Sequence, residues 1–132
     1  MIDTSVVVAG ISGFRAQYRA GRNASADLLH RWADKDTFVW LLTEDILDEY
    51  KQVLKRLRVR PSQIGRLVNL IRERAQLIEV RSASGISPDP KDDPLCLCAN
   101  QASADFLVTL NLTDFPQKQL TAAVVSPSRF PF

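Results

Sequence analysis

The run Thr37-Phe-Val-Trp-Leu-Leu42 is apolar at every position after the first, and it stops abruptly at Thr43. An uninterrupted apolar run this short has the form of a strand buried on both faces. Beyond Thr43 the period changes. Ile46, Leu47, Tyr50, Val53, Leu54 and Leu57 recur at three-four spacing, which predicts a helix with one apolar stripe, capped by Thr43. Pro61 breaks that pattern and sits at the start of a second helix over Ser62–Ala75, with Ile64, Leu67, Leu70 and Ile71 inward. A strand that needs cover on both faces, followed at once by one-sided helices, restricts the chain to layered α/β arrangements.

The remaining segments agree. Met1–Asp3 can only be the end of a strand, followed by the apolar Val6–Ala9. Phe14–Arg22 reads as irregular or frayed, and Ala24–Asp34 as a helix with Asn23 as its cap. Gln76–Val80, Asp105–Thr109 and Ala122–Val125 read as strands, Ser82–Asp92 as a loop and Asp93–Ser103 as a helix of small residues. Strands alternating with helices predict a mostly parallel sheet, and ligands of such sheets bind beyond the carboxyl ends of the strands.

At 132 residues the chain is expected to form one domain, 1–132. No apolar stretch approaches the roughly 20 residues that a membrane span needs. The two cysteines, Cys96 and Cys98, are two apart and poorly placed to bridge. With no signal peptide, the expected compartment is a reducing cytoplasm. Net charge is only +2, but its distribution is uneven. Lys51, Lys55, Arg56, Arg58, Arg60, Arg66, Arg72 and Arg74 fall in one stretch, while acids gather at Asp45–Glu49 and Asp89–Asp93. A basic region beside an acidic one suits an enzyme that approaches a polyanion while holding cations, although solvated helices give the same pattern.

Four places carry carboxylates near expected strand ends. Asp3 ends the first strand, with Thr4 and Ser5 after it; a helix cap is the plain alternative. On the first striped helix, about 100° per residue puts Glu49 at the edge of the stripe and Asp48 out in solvent. Asp93 precedes Pro94 in the usual cap position, yet Asp89, Asp92 and Asp93 crowd one loop. Thr109-Leu-Asn111-Leu-Thr-Asp114-Phe115 follows the strand that ends at Thr109, placing Asn111 and Asp114 on the same side of the sheet as Asp3. Two charges about 4 Å apart repel by about 4 kcal/mol at an effective dielectric near 20, so gathered carboxylates call for a cation. Oxygen-only ligation favours Mg²⁺ or Mn²⁺ over zinc, and the single histidine, His30, is expected at a surface or boundary.

In order and approximate spacing, Asp3-Thr4-Ser5, Ile46-Leu47-Asp48-Glu49-Tyr50, Asp89-Pro90-Lys91-Asp92-Asp93-Pro94 and Thr109-x-Asn111-x-x-Asp114-Phe115 resemble the PIN-domain family. They are especially similar to its branch of toxin components of toxin–antitoxin systems (VapC-like ribonucleases). The closing Val124-Val125-Ser126-Pro127-Ser128-Arg129-Phe130 is similar to that branch's last strand and tail. The resemblance implies a three-layer α/β/α sandwich with a central, mostly parallel sheet, and metal-dependent cleavage of RNA phosphodiesters. It implies Asp3, Glu49, Asp93 and Asp114 as the acidic, metal-holding set, with Thr4, Ser5, Asp92, Thr109 and Asn111 as polar neighbours. Asp92 is the alternative to Asp93, and Asn111 the alternative to Asp114. Divalent ions lower the pKa of water and stabilise charge developing at phosphorus, which is the chemistry such a set serves. Arg56, Arg58, Arg66, Arg72 and Arg74 would hold the RNA backbone by charge. The expected partners are RNA and an antitoxin protein, with a second copy of the chain left open.

The sequence departs from the family pattern in three places. Only Met1 and Ile2 precede Asp3, Ser5 stands where asparagine is usual, and Asn111 stands where an acid is common. A catalytically silent RNA-binding or scaffold domain is therefore the competing expectation. A phosphatase of the haloacid-dehalogenase type would need a second aspartate where Ser5 stands.

Overall fold

In the computed structural model, which describes residues 1–14, 18–35, 37–79 and 93–131 (for 93 and 94 the backbone only), helices outweigh strands. The segment expected to be a loop, Ser82–Asp92, lies outside the described residues, as does Val80. Helix α1 spans Thr4–Gly10 and runs into a single 3-10 turn, Ile11–Phe14. Helix α2 spans Ala24–Lys35, and Asn23 caps it: its Oδ1 accepts from the Ser25 and Ala26 amides at 3.0 and 3.2 Å. Gly10 and Gly13 let the first segment lie directly on α2. A Cβ at Gly13 would stand 2.3 Å from the Ala26 carbonyl oxygen.

Helix α3, Glu44–Arg56, begins where the sequence places it, with Thr43 Oγ1 accepting from the Ile46 amide at 3.1 Å. It buries Ile46, Leu47, Tyr50 and Leu54. Leu57 was expected to extend this stripe but is 55% exposed, because the helix has already ended. The Arg58 amide donates to the Lys55 carbonyl and the Val59 amide to the Leu54 carbonyl. Together with φ of 62° at Arg58, this is a left-handed C-terminal turn that normally takes glycine. Helix α4, Pro61–Arg74, then returns alongside α3, burying Ile64, Leu67 and Ile71. Helix α5 spans Asp93–Gln101.

Every strand pairing among the described residues is parallel, as the alternation of elements predicts. Strand β1 (Leu41–Leu42) pairs with β2 (Gln76–Leu77), and β3 (Phe106–Val108) pairs with β4 (Ala123–Val125). Ile2 adds a one-residue bridge to Val108, so β3 lies between Ile2 and β4. Helices joining parallel strands make this an α/β chain. The strands are shorter than the sequence suggests, and the run from Thr37 narrows to Leu41–Leu42. Its partner explains this: only the Trp40 and Leu42 carbonyls accept from the Gln76–Ile78 segment. Before Trp40, Val39 is 65% exposed and Phe38 packs edge-on against Phe130 at 5.2 Å. Continuous apolarity there reflects a corner packed by side chains, not a longer ladder.

The core is aromatic at its centre. Trp32 and Trp40 meet edge to face at 4.9 Å, and Trp40 lies 6.0 Å from Tyr50. Cys96 and Cys98 are both buried and unbridged.

Candidate functional site

Asp3 stands at the junction of the Ile2 bridge and α1. Its amide donates to the Val108 carbonyl at 2.9 Å, fixing it beside the end of β3. It occupies the N-cap position of α1, yet its carboxylate makes no capping bond. The Asp3 side chain therefore does not cap α1.

That carboxylate is instead held by hydroxyls. Asp3 Oδ2 accepts from Ser5 Oγ at 2.6 Å and from Thr109 Oγ1 at 2.8 Å. Each hydroxyl in turn accepts a backbone amide from the segment after β3: Leu110 N–H donates to Ser5 at 3.2 Å, and Asn111 N–H to Thr109 at 3.0 Å. Each hydroxyl thus accepts from an amide and donates its single proton to Asp3. Both bonds fall on Oδ2, so Oδ1 has no hydrogen-bond partner among the described residues.

Glu49 is half-buried, and its Oε2 accepts from Thr4 Oγ1 at 2.6 Å. Its neighbour Asp48 is exposed and lies 3.2 Å from Lys51. The two carboxylates thus differ in surroundings as the helical rotation of 100° per residue requires. Tyr50, the next residue along α3, is wholly buried and its hydroxyl donates to the Ile2 carbonyl. Burial pushes this phenol well above its ordinary pKa, and the nearby charges of Asp3 and Glu49 push it further. The Trp40 indole N–H, buried with no formed hydrogen bond among the described residues, lies close enough to act against that rise more than either carboxylate adds to it.

Asp3 and Glu49 are therefore drawn together through Thr4, and no lysine, arginine or histidine forms an ion pair with either among the described residues. Asp3 is a buried residue whose carboxylate meets only neutral donors among the described residues, which leaves its charge uncompensated there. Asp3 Oδ1 and Glu49 Oε1 remain as oxygen donors, a set that fits a hard divalent cation.

The other expected residues divide. Thr4, Ser5 and Thr109 join the pair. Asn111 is exposed and contributes its amide rather than its side chain to the bonds described. Asp114 is exposed in the 3-10 turn Leu112–Asp114. Among the described residues no three of His, Cys, Asp and Glu come together as a metal-holding group. Asp93 is the first residue of α5, and Asp92 lies outside the described residues. His30 is half-buried, its Nδ1 3.0 Å from the Gly13 carbonyl.

Of the arginines, Arg56, Arg58 and Arg66 are exposed. Arg72 is bonded by both guanidinium nitrogens to Glu44, at 2.8 and 3.1 Å. Arg74 stacks over the Trp32 ring at 5.4 Å and donates to the Ala33 carbonyl. Sequence reasoning missed Tyr50, which counted only as an apolar position. The available signal was a phenol, not an aliphatic side chain, beside Glu49 in the middle of a stripe.

Neither the curated proteins nor the solved structures compared with this chain gave a match. A family model described as PIN domain matches residues 1–113, which takes in Asp3, Glu49, Asp93 and Thr109 and stops just before Asp114. The chain belongs to the PIN-domain family, whose members are generally metal-dependent nucleases.

Proposed function

We propose that this chain is a divalent-metal-dependent endoribonuclease that hydrolyses RNA phosphodiester bonds, and that it is the toxin of a toxin–antitoxin pair. The observation that carries the reading is the Asp3–Glu49 pair. Two carboxylates 46 positions apart are held by Thr4, Ser5 and Thr109 with an oxygen left over on each. Such pre-orientation costs conformational freedom and leaves charge unbalanced, and a bound cation offsets both. The proposed metal-holding set is Asp3, Glu49, Asp93 and Asp114, with Asn111 as the alternative to Asp114 and Asp92 to Asp93. Mg²⁺ or Mn²⁺ in that set supplies the Lewis acidity that phosphodiester hydrolysis draws on.

The chain's own part is to hold the carboxylates still. Ser5 and Thr109 fix the rotation of Asp3, and Thr4 fixes Glu49. Arg56, Arg58 and Arg66, exposed on the α3–α4 hairpin, would attract the RNA backbone. The proposed architecture is a three-layer α/β/α sandwich; the described strands form two separate two-stranded parallel sheets rather than one central sheet. Two buried cysteines outside any disulfide suit a reducing cytoplasm. Among the described residues no helix is long and apolar enough to cross a membrane.

The test is cleavage of an unstructured RNA with Mn²⁺, with EDTA, and with the Asp3→Asn chain. Manganese-dependent cleavage lost in Asp3→Asn supports the nuclease. RNA binding without cleavage in any metal would leave the silent, scaffold-type domain. Growth arrest on expression of the wild type but not of Asp3→Asn would support the toxin role.

A further inference from the structure

Tyr50 fills a place in the core that a phenylalanine could fill nearly as well by volume. A hydroxyl in such surroundings is unfavourable unless it is bonded. Here it is bonded to a backbone group 48 residues away. The parallel bridge to Val108 uses the Met1 carbonyl and the Asp3 amide. Because backbone groups alternate in direction along an extended segment, the Ile2 carbonyl faces away from β3. No strand meets it there among the described residues; Tyr50 does. The next peptide after that carbonyl begins Asp3, and the residue before Tyr50 is Glu49.

We propose that Tyr50 is a positioning residue, its hydroxyl bond to the Ile2 carbonyl setting the separation of Asp3 and Glu49 and so the affinity of that pair for a divalent cation. The inference rests on the metal-dependent reading of the site. Thr4 already links the two elements from the solvent side, through Glu49 Oε2. Tyr50 links them from the core side. Two ties on opposite sides of the carboxylate pair hold both distance and angle, where one tie would leave a hinge. The phenol suits this role because its ring is rigid and its hydroxyl donates to the Ile2 carbonyl from within the core.

The test compares full-length wild type, Tyr50→Phe, Asp3→Asn and Leu67→Ala. Leu67 is buried in α4 and touches neither carboxylate in any bond described, so its variant controls for loss of stability alone. Mn²⁺ affinity is read from the free-ion signal in electron paramagnetic resonance, and cleavage of an unstructured RNA is followed across manganese concentration. Tyr50→Phe is expected to bind Mn²⁺ about tenfold more weakly, the scale typical when a group orienting a metal ligand is removed. Its cleavage rate should recover at saturating manganese. Leu67→Ala should melt earlier with unchanged affinity.

Wild-type Mn²⁺ affinity in Tyr50→Phe overturns the proposal. Unchanged affinity in Asp3→Asn, or a wild type that binds no manganese, overturns the underlying reading and the proposal with it. A second measurement needs no variant. Titrating wild type with Mg²⁺ should shift the carbon resonance bearing the Tyr50 hydroxyl, and an unmoved resonance during saturable binding overturns the proposal as well.

Discussion

Thr4 Oγ1 donates to Glu49 Oε2 at 2.6 Å, joining the first turn of α1 to the middle of α3. The bond takes up one carboxylate oxygen and leaves the other open. Asp48, one residue earlier, faces solvent and has Lys51 for company. Replacing Glu49 with Gln or Asp3 with Asn is expected to reduce manganese-dependent cleavage at least a hundredfold, the scale on which loss of an electrostatic group in an active site acts. Asp93→Asn should do the same. Asp48→Asn should cut at the wild-type rate, since an exposed ion pair contributes about 1 kcal/mol or less. Steady-state rates on one RNA decide this, and equal losses from Asp48→Asn and Glu49→Gln would remove Glu49 from the site.

The arginines should separate by what they touch. Arg56, Arg58 and Arg66 are exposed, and replacing all three with Ala should weaken RNA binding and flatten its dependence on salt, because fewer counterions are released. Arg74, stacked on Trp32, should instead lower the melting temperature when replaced. Arg58 offers a sharper contrast. A side chain at φ of 62° costs about 1–2 kcal/mol relative to glycine, so Arg58→Gly should stabilise the fold while weakening RNA binding. Urea unfolding and a salt titration of affinity measure the two effects. An unchanged slope in the triple variant would show that RNA lies elsewhere.

Helices α2, α3 and α4 were legible in the sequence because each is announced by local chemistry: Asn23 and Thr43 as caps, Pro61 as a first residue, three-four spacing between; α1 was read only as the apolar stretch Val6–Ala9. The strands were legible in direction and place but not in length. Strand length depends on how far a distant partner runs, and the short Gln76–Leu77 segment decides it for β1. The site was half legible. The motifs named Asp3 and Glu49, and helix geometry separated Glu49 from Asp48. The convergence of Ser5, Thr109 and the Leu110 and Asn111 amides on Asp3 could not be read, because it joins residues more than 100 positions apart. Asp114 was expected beside Asp3 from its place after a strand. A residue five positions past that strand's end turns with its own loop, and here it is exposed.

Two glycines give opposite expectations for one substitution. At Gly13 a Cβ would meet the Ala26 carbonyl oxygen at 2.3 Å, and backbone cannot step aside as a side chain can. Gly13→Ala should destabilise by about 1–3 kcal/mol as the first segment is forced off α2. At Gly65, inside α4, an added Cβ meets nothing within 4 Å. Gly65→Ala should stabilise by about 0.5–1 kcal/mol through helix propensity and a less flexible unfolded chain. Chemical denaturation of both variants tests the packing of α1 and α2 and of the α3–α4 hairpin.

Manganese should stabilise the fold even without RNA. The ion binds only the arrangement in which Asp3 and Glu49 are together, so linkage predicts a gain of about 2.7 kcal/mol at a hundredfold excess over Kd. For a chain of this size that is a rise of several degrees in melting temperature. The variants sort the carboxylates by their share in binding. Asp3→Asn should abolish the rise, and in EDTA it should melt no lower than wild type, because the substitution removes a buried charge that no basic side chain balances among the described residues. Asn can still accept from Ser5 and Thr109, so the hydroxyl bonds survive the change. Glu49→Gln should blunt the rise strongly, and Asp93→Asn likewise. Asp114→Asn should blunt it least, since Asp114 stands exposed in the turn beyond β3. A full-sized loss in Asp114→Asn would mean that the turn closes onto the pair when the ion binds. Wild-type melting that ignores manganese would count against a metal site altogether and leave the family's scaffold-type role as the reading of this chain.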